Sequence, residues 1–283
     1  MTMTLNRRHW IAATLAALLT ACAGTPKTAP PPIVFVHGNG DTAALWHTTM
    51  WRFESNGWPR ERLFAVDMPY PLARDADDVA QPGRTSTAEA MAIVAAEVER
   101  VLAATGAPKV VLVGNSRGGY AIRNYIAHGG GAAKVSHAIL GGTPNHGVWS
   151  NPGFRPTNEF NGAGPFLKAL NNQGAPGVEV TPGVAWMTIR SEDNDKFAQP
   201  DGVWIGARGQ PTNVGYDGPE LKGAKNVVMP AIDHRETSFS PMAFAATYEF
   251  ITGRAPATTA VTPEERVVLD GKVSGLGLEN APG

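Results

Sequence analysis

The stretch VVLVGNSRGG, residues 110–119, decides the fold of this chain. A continuous apolar run ends in the pattern Gly-x-Ser-x-Gly and passes at once into a helical pattern. A serine between a buried strand and a helix needs a very sharp turn, where side chains at Gly114 and Gly118 would collide with the neighbouring strand and helix. We therefore predict a turn that lifts the Ser116 hydroxyl above the sheet edge, followed by a helix to about His128. The alternative is a glycine-rich turn without a catalytic role.

Two backbone amides near this turn are candidates for an oxyanion hole. The N–H of Arg117 lies at the start of the predicted helix, where free amides and the helix dipole favour negative charge. A second buried strand, Ile33–Val36, leads into the loop His-Gly-Asn-Gly-Asp, residues 37–41. Its glycines let the main chain approach a substrate oxygen, so we predict that the Asn39 N–H is the second donor.

Strand and helix patterns alternate around these motifs. Apolar runs predict strands at 63–67 and 135–140, and residues 87–104 have apolar side chains at helical spacing. Ser86 and Glu89 precede that helix with the spacing of a capping box. The alternation predicts the α/β class, with a mostly parallel twisted sheet flanked by helices and active residues at the carboxyl ends of the strands.

With these motifs the chain resembles the α/β-hydrolase superfamily, and most closely its bacterial lipases and esterases, over about Pro32 to Gly253. The resemblance implies the α/β-hydrolase fold and a chain order of serine, acid and histidine. His37 precedes Ser116, so this order argues against His37 as the catalytic base. We expect His37 to hold its loop by hydrogen bonds.

The resemblance places the triad acid on the loop after a late strand, predicted at residues 184–190. The acidic stretch SEDND, residues 191–195, follows that strand. Similar lipases have an Asp a few residues after the strand and an apolar residue shortly after it, which fits Asp195 and Phe197. Asp193 is the alternative acid. A solvated turn or a cation site is the other interpretation of this stretch.

The triad histidine is expected on the next loop, after a predicted strand at 226–229. His234 lies there and is the only histidine after Asp195. The predicted triad is therefore Ser116, Asp195 and His234, with the imidazole between the hydroxyl and the carboxylate. We expect no cofactor and no catalytic metal, because the remaining histidines show no metal-ligand spacing with Cys, Asp or Glu. Those assigned to the surface or the core are His47, His128, His137 and His146.

Residues 149–181 depart from the alternation. They are rich in Gly, Pro and Asn yet hold several aromatic residues, so neither a regular strand nor a long helix is predicted. In the superfamily an insertion here lies above the nucleophile, as a mobile lid or as a fixed wall of the substrate site. We favour the wall because the prolines restrict hinge motion. The candidate substrate-binding residues are His146, on the preceding loop, and Phe154, Phe160 and Phe166.

Residues 1–22 predict an export signal, with two arginines, an apolar run too short to span a membrane and then small residues. Residues 19–22 resemble a lipobox, in which Cys22 becomes the lipidated first residue of the mature protein. Ordinary cleavage at an A-x-A site, residues 21–23, is the alternative. We favour lipidation because Cys22 is the only cysteine of the chain. The paired arginines leave twin-arginine and general export both open.

The sequence predicts a proline-rich tether at 23–32, the hydrolase domain at 33–254 and a tail at 255–283 with a possible β-hairpin at 267–273. The chain has 283 residues, of which 43% are hydrophobic, and a formal net charge of −1. This composition predicts one globular domain and does not suggest a nucleic-acid partner. We expect a monomer whose membrane contact is the lipid anchor, in the periplasm or on the cell surface, or alternatively secreted.

The predicted function is that of an exported serine carboxylic-ester hydrolase, a lipase or esterase, that works through an acyl-enzyme on a small-molecule, lipid or polymer ester. Polyester depolymerisation and acyl transfer use the same triad. A non-catalytic, hydrolase-like binding lipoprotein is the alternative from a different class. The three triad residues in family order argue against it, because a binding module has no need for all three.

Overall fold

Six strands form the central sheet of the structure, a computed structural model that describes residues 29–172 and 176–266. Together with a separate two-stranded pair, the strands are β1 (Ile33–Val36), β2 (Leu63–Val66), β3 (Leu72–Ala73), β4 (Arg84–Thr85), β5 (Val110–Asn115), β6 (Val135–Gly141), β7 (Ala185–Glu192) and β8 (Lys225–Pro230). The sheet order is β2-β1-β5-β6-β7-β8, and every neighbouring pair is parallel. The short strands β3 and β4 pair with each other.

Helices cover both faces of this sheet. They are α1 (His47–Ser55), α2 (Thr87–Thr105), α3 (Arg117–His128), α4 (Pro165–Leu170), α5 (Glu236–Phe239) and α6 (Pro241–Thr252). Alternate residues of β1 point to opposite faces. Val34 packs in the core cluster that includes α2 and α3, whereas Phe35 packs in the cluster that includes α1 and α6. The predicted α/β class, with a mostly parallel sheet flanked by helices, is confirmed.

The strand order reverses between β1 and β5. It adds β2 on one side of β1 and then crosses to form β5 on the other side. At such a switch point the loops that follow the two strands diverge and leave a crevice at the carboxyl edge. This topology brings loop 37–41, after β1, beside Ser116, which follows β5.

The predicted elements lie within two residues of their observed bounds. Strand 33–36 and the helix from Arg117 to His128 have the predicted limits. The capping box is confirmed, because the Glu89 amide donates to Ser86 Oγ at 3.2 Å and the Ser86 amide donates to Glu89 Oε2 at 2.7 Å. The local patterns were strong here because strand 33–36 ends in the glycine-containing loop 37–41 and helix α2 begins at the capping residue Ser86.

The predicted insertion is irregular, as its composition indicated. In its described parts, 149–172 and 176–181, the helix α4 is only six residues long. Asn161 is fully buried and cross-links the segment. Its Oδ1 accepts from the amides of Asn151 and Ala163, at 3.1 and 3.0 Å, and its Nδ2 donates to the carbonyls of Asn151 and Phe154, at 2.8 and 3.1 Å. These bonds hold the segment together internally, and its role as a wall of the substrate site stays a prediction.

Several predictions lie outside the described residues. They are the export signal at 1–22 with the lipidation site Cys22, most of the tether at 23–32 and the hairpin at 267–273. The first part of the tail is described and lies against α1, where Asn56 Nδ2 donates to the Thr258 carbonyl at 2.9 Å. None of the described helices is long and apolar enough to cross a membrane.

Candidate active site

Ser116 occupies the strained turn that the sequence predicted between β5 and α3. Its backbone has φ 53° and ψ −122°, a conformation that non-glycine residues rarely adopt. A Cβ at Gly118 would lie 2.3 Å from the carbonyl oxygen of Val36, and a Cβ at Gly114 would lie 2.7 Å from Ile122 Cδ1. Both glycines are therefore required by steric contact, one with the neighbouring strand and one with the helix.

His234 and Asp195 contact each other on the loops after β8 and β7. His234 Nδ1 lies 2.7 Å from Asp195 Oδ2, and the two side chains are only 7% and 13% exposed. The other carboxylate oxygen accepts from the Phe197 amide at 2.9 Å, and the Phe197 ring stacks edge-on against the imidazole at 4.5 Å. Asp193 is exposed, with a left-handed backbone at φ 57°. The structure thus brings Asp195, and not Asp193, to His234.

Ser116 and His234 line the same cavity, which has a volume of about 420 Å³. A nitrogen paired with a carboxylate carries a proton, so His234 Nδ1 is the donor and Nε2 is left as the basic nitrogen. Asn115, which sequence reasoning missed, links the end of β5, directly before Ser116, to the segment that holds His234. Its Nδ2 donates to the carbonyl of His234 at 3.2 Å and to Thr237 Oγ1 at 3.2 Å. The available signal was a buried amide side chain at the end of an apolar strand.

The loop after β1 closely approaches the candidate nucleophile. Gly38, Asn39 and Gly40 line the same cavity, and a Cβ at Gly38 would lie 2.9 Å from Ser116 Cβ. No described group accepts a hydrogen bond from the amide of Asn39 or of Arg117. Both amides are therefore without an acceptor among the described residues, as the donors of an oxyanion hole must be before substrate binds.

His37 holds this loop in the manner that the sequence predicted. Its Nε2 accepts from the Met68 amide at 3.1 Å, so Nδ1 carries the proton and donates to the Gly38 carbonyl at 2.9 Å. Burial lowers the pKa of His37 and favours the neutral ring, which the hydrogen bond accepted from the Met68 amide needs. Both ring nitrogens are engaged with backbone, so neither is available as a base.

The Arg117 side chain connects the helix after the serine to the insertion. Its Nε and Nη2 donate to the two oxygens of Glu159 at 2.6 and 2.9 Å, and its Nη1 donates to Thr85 Oγ1 at 2.8 Å. The two charged side chains are 3% and 1% exposed. Burial raises the pKa of Glu159, and the Arg117 charge opposes that rise. Sequence reasoning missed this pair, because the partners are 42 residues apart and follow no local pattern.

The predicted substrate-binding residues separate into different environments. Phe160 lines the cavity with Ser116, whereas the described lining does not include Phe154 or Phe166. The Phe154 ring packs against Trp149, and the Phe166 ring packs against Tyr120, each at 5.8 Å. Phe154 therefore packs within the insertion, and Phe166 packs against α3.

His146 lines a neighbouring cavity of about 780 Å³, which Asp195 also lines and which shares Phe197 with the cavity of Ser116. Its Nε2 lies 3.1 Å from Glu179 Oε1, so the ring is held by a carboxylate of the insertion. Burial alone would raise the pKa of Glu179, but hydrogen bonds from the Lys222 amide and His146 outweigh it and lower that pKa.

Among the described residues, no group of three or more His, Cys, Asp or Glu side chains is arranged to hold a metal ion.

Comparison with known proteins defines the class of protein. Residues 33–264 match the model of the alpha/beta hydrolase family, which covers most of the chain. The chain therefore belongs to the alpha/beta hydrolase family.

Similar solved structures include two lipases. The mature lipase of Bacillus licheniformis has a TM-score of 0.57 and 22% identity, covering 81% of this chain and 94% of that chain. Aspergillus fumigatus lipase B has a TM-score of 0.53 and 16% identity, covering 84% of this chain and 56% of that chain. At these identities the likeness shows the fold alone.

A curated relative is the non-heme haloperoxidase of Rhodococcus erythropolis, which is 29% identical over 134 residues. The match covers 46% of this chain and spans 44% of the length of that relative.

Proposed function

We propose that the protein is a serine hydrolase that cleaves carboxylic esters through an acyl-enzyme, with Ser116, His234 and Asp195 as its triad. The observation that carries the proposal is the 2.7 Å contact of His234 Nδ1 with Asp195 Oδ2, on loops that also line the cavity of Ser116. A strained serine, a carboxylate-held imidazole and two free amides have defined and separate tasks in acyl transfer.

In the proposed reaction His234 Nε2 removes the hydroxyl proton as Ser116 Oγ attacks the ester carbonyl. The Asp195 carboxylate keeps the proton on Nδ1 and stabilises the imidazolium that forms. The imidazolium then gives its proton to the departing alcohol oxygen. Water then attacks the acyl carbon and loses a proton to the same nitrogen, and the imidazolium returns that proton to Ser116 Oγ as the bond to the serine breaks and the acid leaves.

The amides of Asn39 and Arg117 would bind the oxygen that becomes negative during attack. The buried pair of Arg117 with Glu159 supports this role, since it fixes the residue whose amide must point at the oxyanion. His37 supports the other donor by fixing the carbonyl of Gly38, directly before Asn39. Neither amide has to reorganise when the charge develops.

An ester substrate, rather than an amide, is proposed because lipases are among the similar folds. The wall that Asn161 cross-links contributes Phe160 to the cavity, which would receive part of the substrate. Transfer of the acyl group to an alcohol and attack on a polyester would use the same triad.

The test is turnover of 4-nitrophenyl esters of graded chain length by matched variants. We expect Ser116→Ala and His234→Ala each to lower kcat/KM by about three or more orders of magnitude while the circular dichroism spectrum stays unchanged. Ser55→Ala and His47→Ala are the matched controls, because both residues lie on α1 and away from the described cavity lining. Near-normal turnover by Ser116→Ala would contradict the proposal.

A further inference from the structure

The cavity that contains Ser116 is lined by more basic than acidic side chains. Among the described lining residues, the basic ones are Arg74, Arg84, Arg155, Lys196 and Arg235, and the acidic ones are Asp41 and Asp75. A low-dielectric cleft lined by one sign of charge raises the local concentration of ligands of the opposite sign. The excess charge therefore matters only if it is not cancelled by neighbouring carboxylates.

Three of the basic side chains have a carboxylate partner. The pairs are Arg74 with Glu89 at 2.9 Å, Arg84 with Asp75 at 3.7 Å and Arg235 with Asp41 at 2.9 Å. Arg155 and Lys196 form no ion pair with any carboxylate of the described residues. Two positive charges without a direct ion pair thus line the cavity, and Arg155 is near enough to Asp75 to help lower the pKa of that carboxyl after its hydrogen bond with Gln81.

Aromatic rings hold both unpaired cations. Lys196 Nζ lies 5.1 Å from the ring centre of Trp204 and 5.3 Å from that of Phe197, and Arg155 Cζ lies 5.2 Å from that of Phe154. A cation over an aromatic face is held in position, but its charge is not neutralised. Both groups stay available to attract an anion.

Backbone contacts position the segment that carries each cation. Arg155 has a left-handed backbone with φ 45°, and its carbonyl accepts from the amide of Asn158 at 3.1 Å and from Asn161 Nδ2 at 3.4 Å. A non-glycine residue keeps such a strained conformation only where its surroundings impose it. Lys196 directly follows Asp195, so the loop that positions the proposed triad acid also positions this charge.

We propose that the cavity selects esters that carry a second, anionic group, a carboxylate or a phosphate, and that Arg155 and Lys196 are the residues that recognise it. This inference rests on the proposed ester hydrolase function and names its substrate class. Arg155 comes from the insertion and Lys196 from the loop after β7, so the two charges converge on the cavity from separate segments.

The test compares 4-nitrophenyl esters of similar chain length that carry different distal groups. Mono-4-nitrophenyl adipate is the carboxylate probe, an ester of 6-phosphonooxyhexanoate the phosphate probe, methyl 4-nitrophenyl adipate the neutral probe and a trimethylammonio analogue the cationic probe. We expect wild-type kcat/KM to be highest for an anionic probe, by about tenfold over the neutral one, and lowest for the cationic probe. The preference should weaken as salt screens the charges. The ranking of the two anionic probes distinguishes carboxylate from phosphate recognition.

Variants connect the preference to the two residues. The double variant Arg155→Gln/Lys196→Gln should lose about tenfold in kcat/KM for the preferred anionic probe and less than about twofold for the neutral probe. Lys196→Arg keeps the charge and should keep the preference. Lys168→Gln and Arg208→Gln are matched controls, because both residues are exposed cations outside the described cavity lining.

Two results would overturn the inference and leave the ester hydrolase proposal intact: equal wild-type kcat/KM for the anionic and neutral probes, or equal losses for both in the double variant. If wild type hydrolyses none of the probes, the proposed function fails. Calorimetric titration of the Ser116→Ala protein then tests recognition without turnover. Tighter binding of an anionic probe would support the inference, and equal or undetectable binding of all probes would overturn it.

Discussion

His234 Nδ1 lies 2.7 Å from Asp195 Oδ2, although 39 residues separate them in the chain. The contact follows from the sheet, because β7 and β8 are parallel neighbours and their following loops leave from the same edge. The pairing of β7 with β8 therefore brings the candidate base, His234, next to its carboxylate, Asp195. Ser116 follows β5 at the same edge, which explains how three distant segments reach one site.

The first prediction separates the two candidate acids. Asp195→Asn should lower kcat for ester hydrolysis by about three to four orders of magnitude, because an amide no longer fixes the proton on Nδ1 or stabilises the imidazolium. Asp193→Asn removes an exposed carboxylate from the same loop and should change kcat by less than about twofold. Steady-state kinetics on one ester decide between them, and the opposite ranking would assign the acid to Asp193.

The second prediction concerns the pH dependence of folding. Burial lowers the pKa of His37, so the folded state binds fewer protons here than the unfolded state when the pH falls below about 6.5. The stability contributed by neutral His37 is complete above that pH and is lost as the pH drops toward the folded pKa. His37→Gln removes this titration.

Urea unfolding from about pH 7.5 to about pH 5.5 measures the effect. The free energy of unfolding should fall more steeply in wild type than in His37→Gln, by up to about 1.4 kcal/mol per pH unit. Parallel curves for the two proteins would contradict the account of His37 as a neutral, doubly hydrogen-bonded residue.

The third prediction compares two buried tyrosines of α3. Tyr125 OH is buried without a hydrogen-bond partner, and burial raises the pKa of Tyr125 to about 12. Tyr120 OH donates to the Pro144 carbonyl at 2.6 Å. Tyr125→Phe should leave the free energy of unfolding unchanged or raise it, whereas Tyr120→Phe should lower it by about 1 kcal/mol or more. A larger loss for Tyr125→Phe than for Tyr120→Phe would be inconsistent with these contacts.

The fourth prediction treats the insertion as a wall. Phe160 lines the cavity, so Phe160→Ala should widen the range of acyl chains that are hydrolysed. Phe166 packs against Tyr120 away from the lining, so Phe166→Ala should lower stability and leave chain-length preference unchanged. Tributyrin turnover should show no sharp rise at the solubility limit. A sharp rise that disappears on deleting residues 153–164 would identify a mobile lid.

Local patterns predicted the strands of the main sheet and the helices α2 and α3, whereas α1 and α6, which cover the other face, were not predicted. The central strands β1 and β5 begin as apolar runs and end in glycine-containing turns, and Gly114 and Gly118 have the steric reason that their spacing indicated. The proposed triad followed from the Gly-x-Ser-x-Gly turn combined with the chain order of a known family. Its catalytic role stays a prediction.

The sequence could not predict contacts made by irregular segments. Glu159 reaches Arg117 only because the insertion folds back over α3, and no periodicity encodes that path. The sequence also could not predict that Phe160 lines the cavity of Ser116 while Phe154 and Phe166 do not, because all three are phenylalanines of one irregular segment. Asn115 donates to the carbonyl of His234, which is 119 residues away in the sequence. The two residues become neighbours only when the strands assemble into the sheet.

The most direct test of the central claim is the site of a covalent adduct. A fluorophosphonate reacts with an activated serine, so wild-type protein incubated with it should gain one adduct, and peptide mass spectrometry should locate it on Ser116. His234→Ala should label far more slowly, and ester turnover should fall in proportion to the labelled fraction. An adduct on another residue, or full turnover by protein labelled at Ser116, would contradict the account.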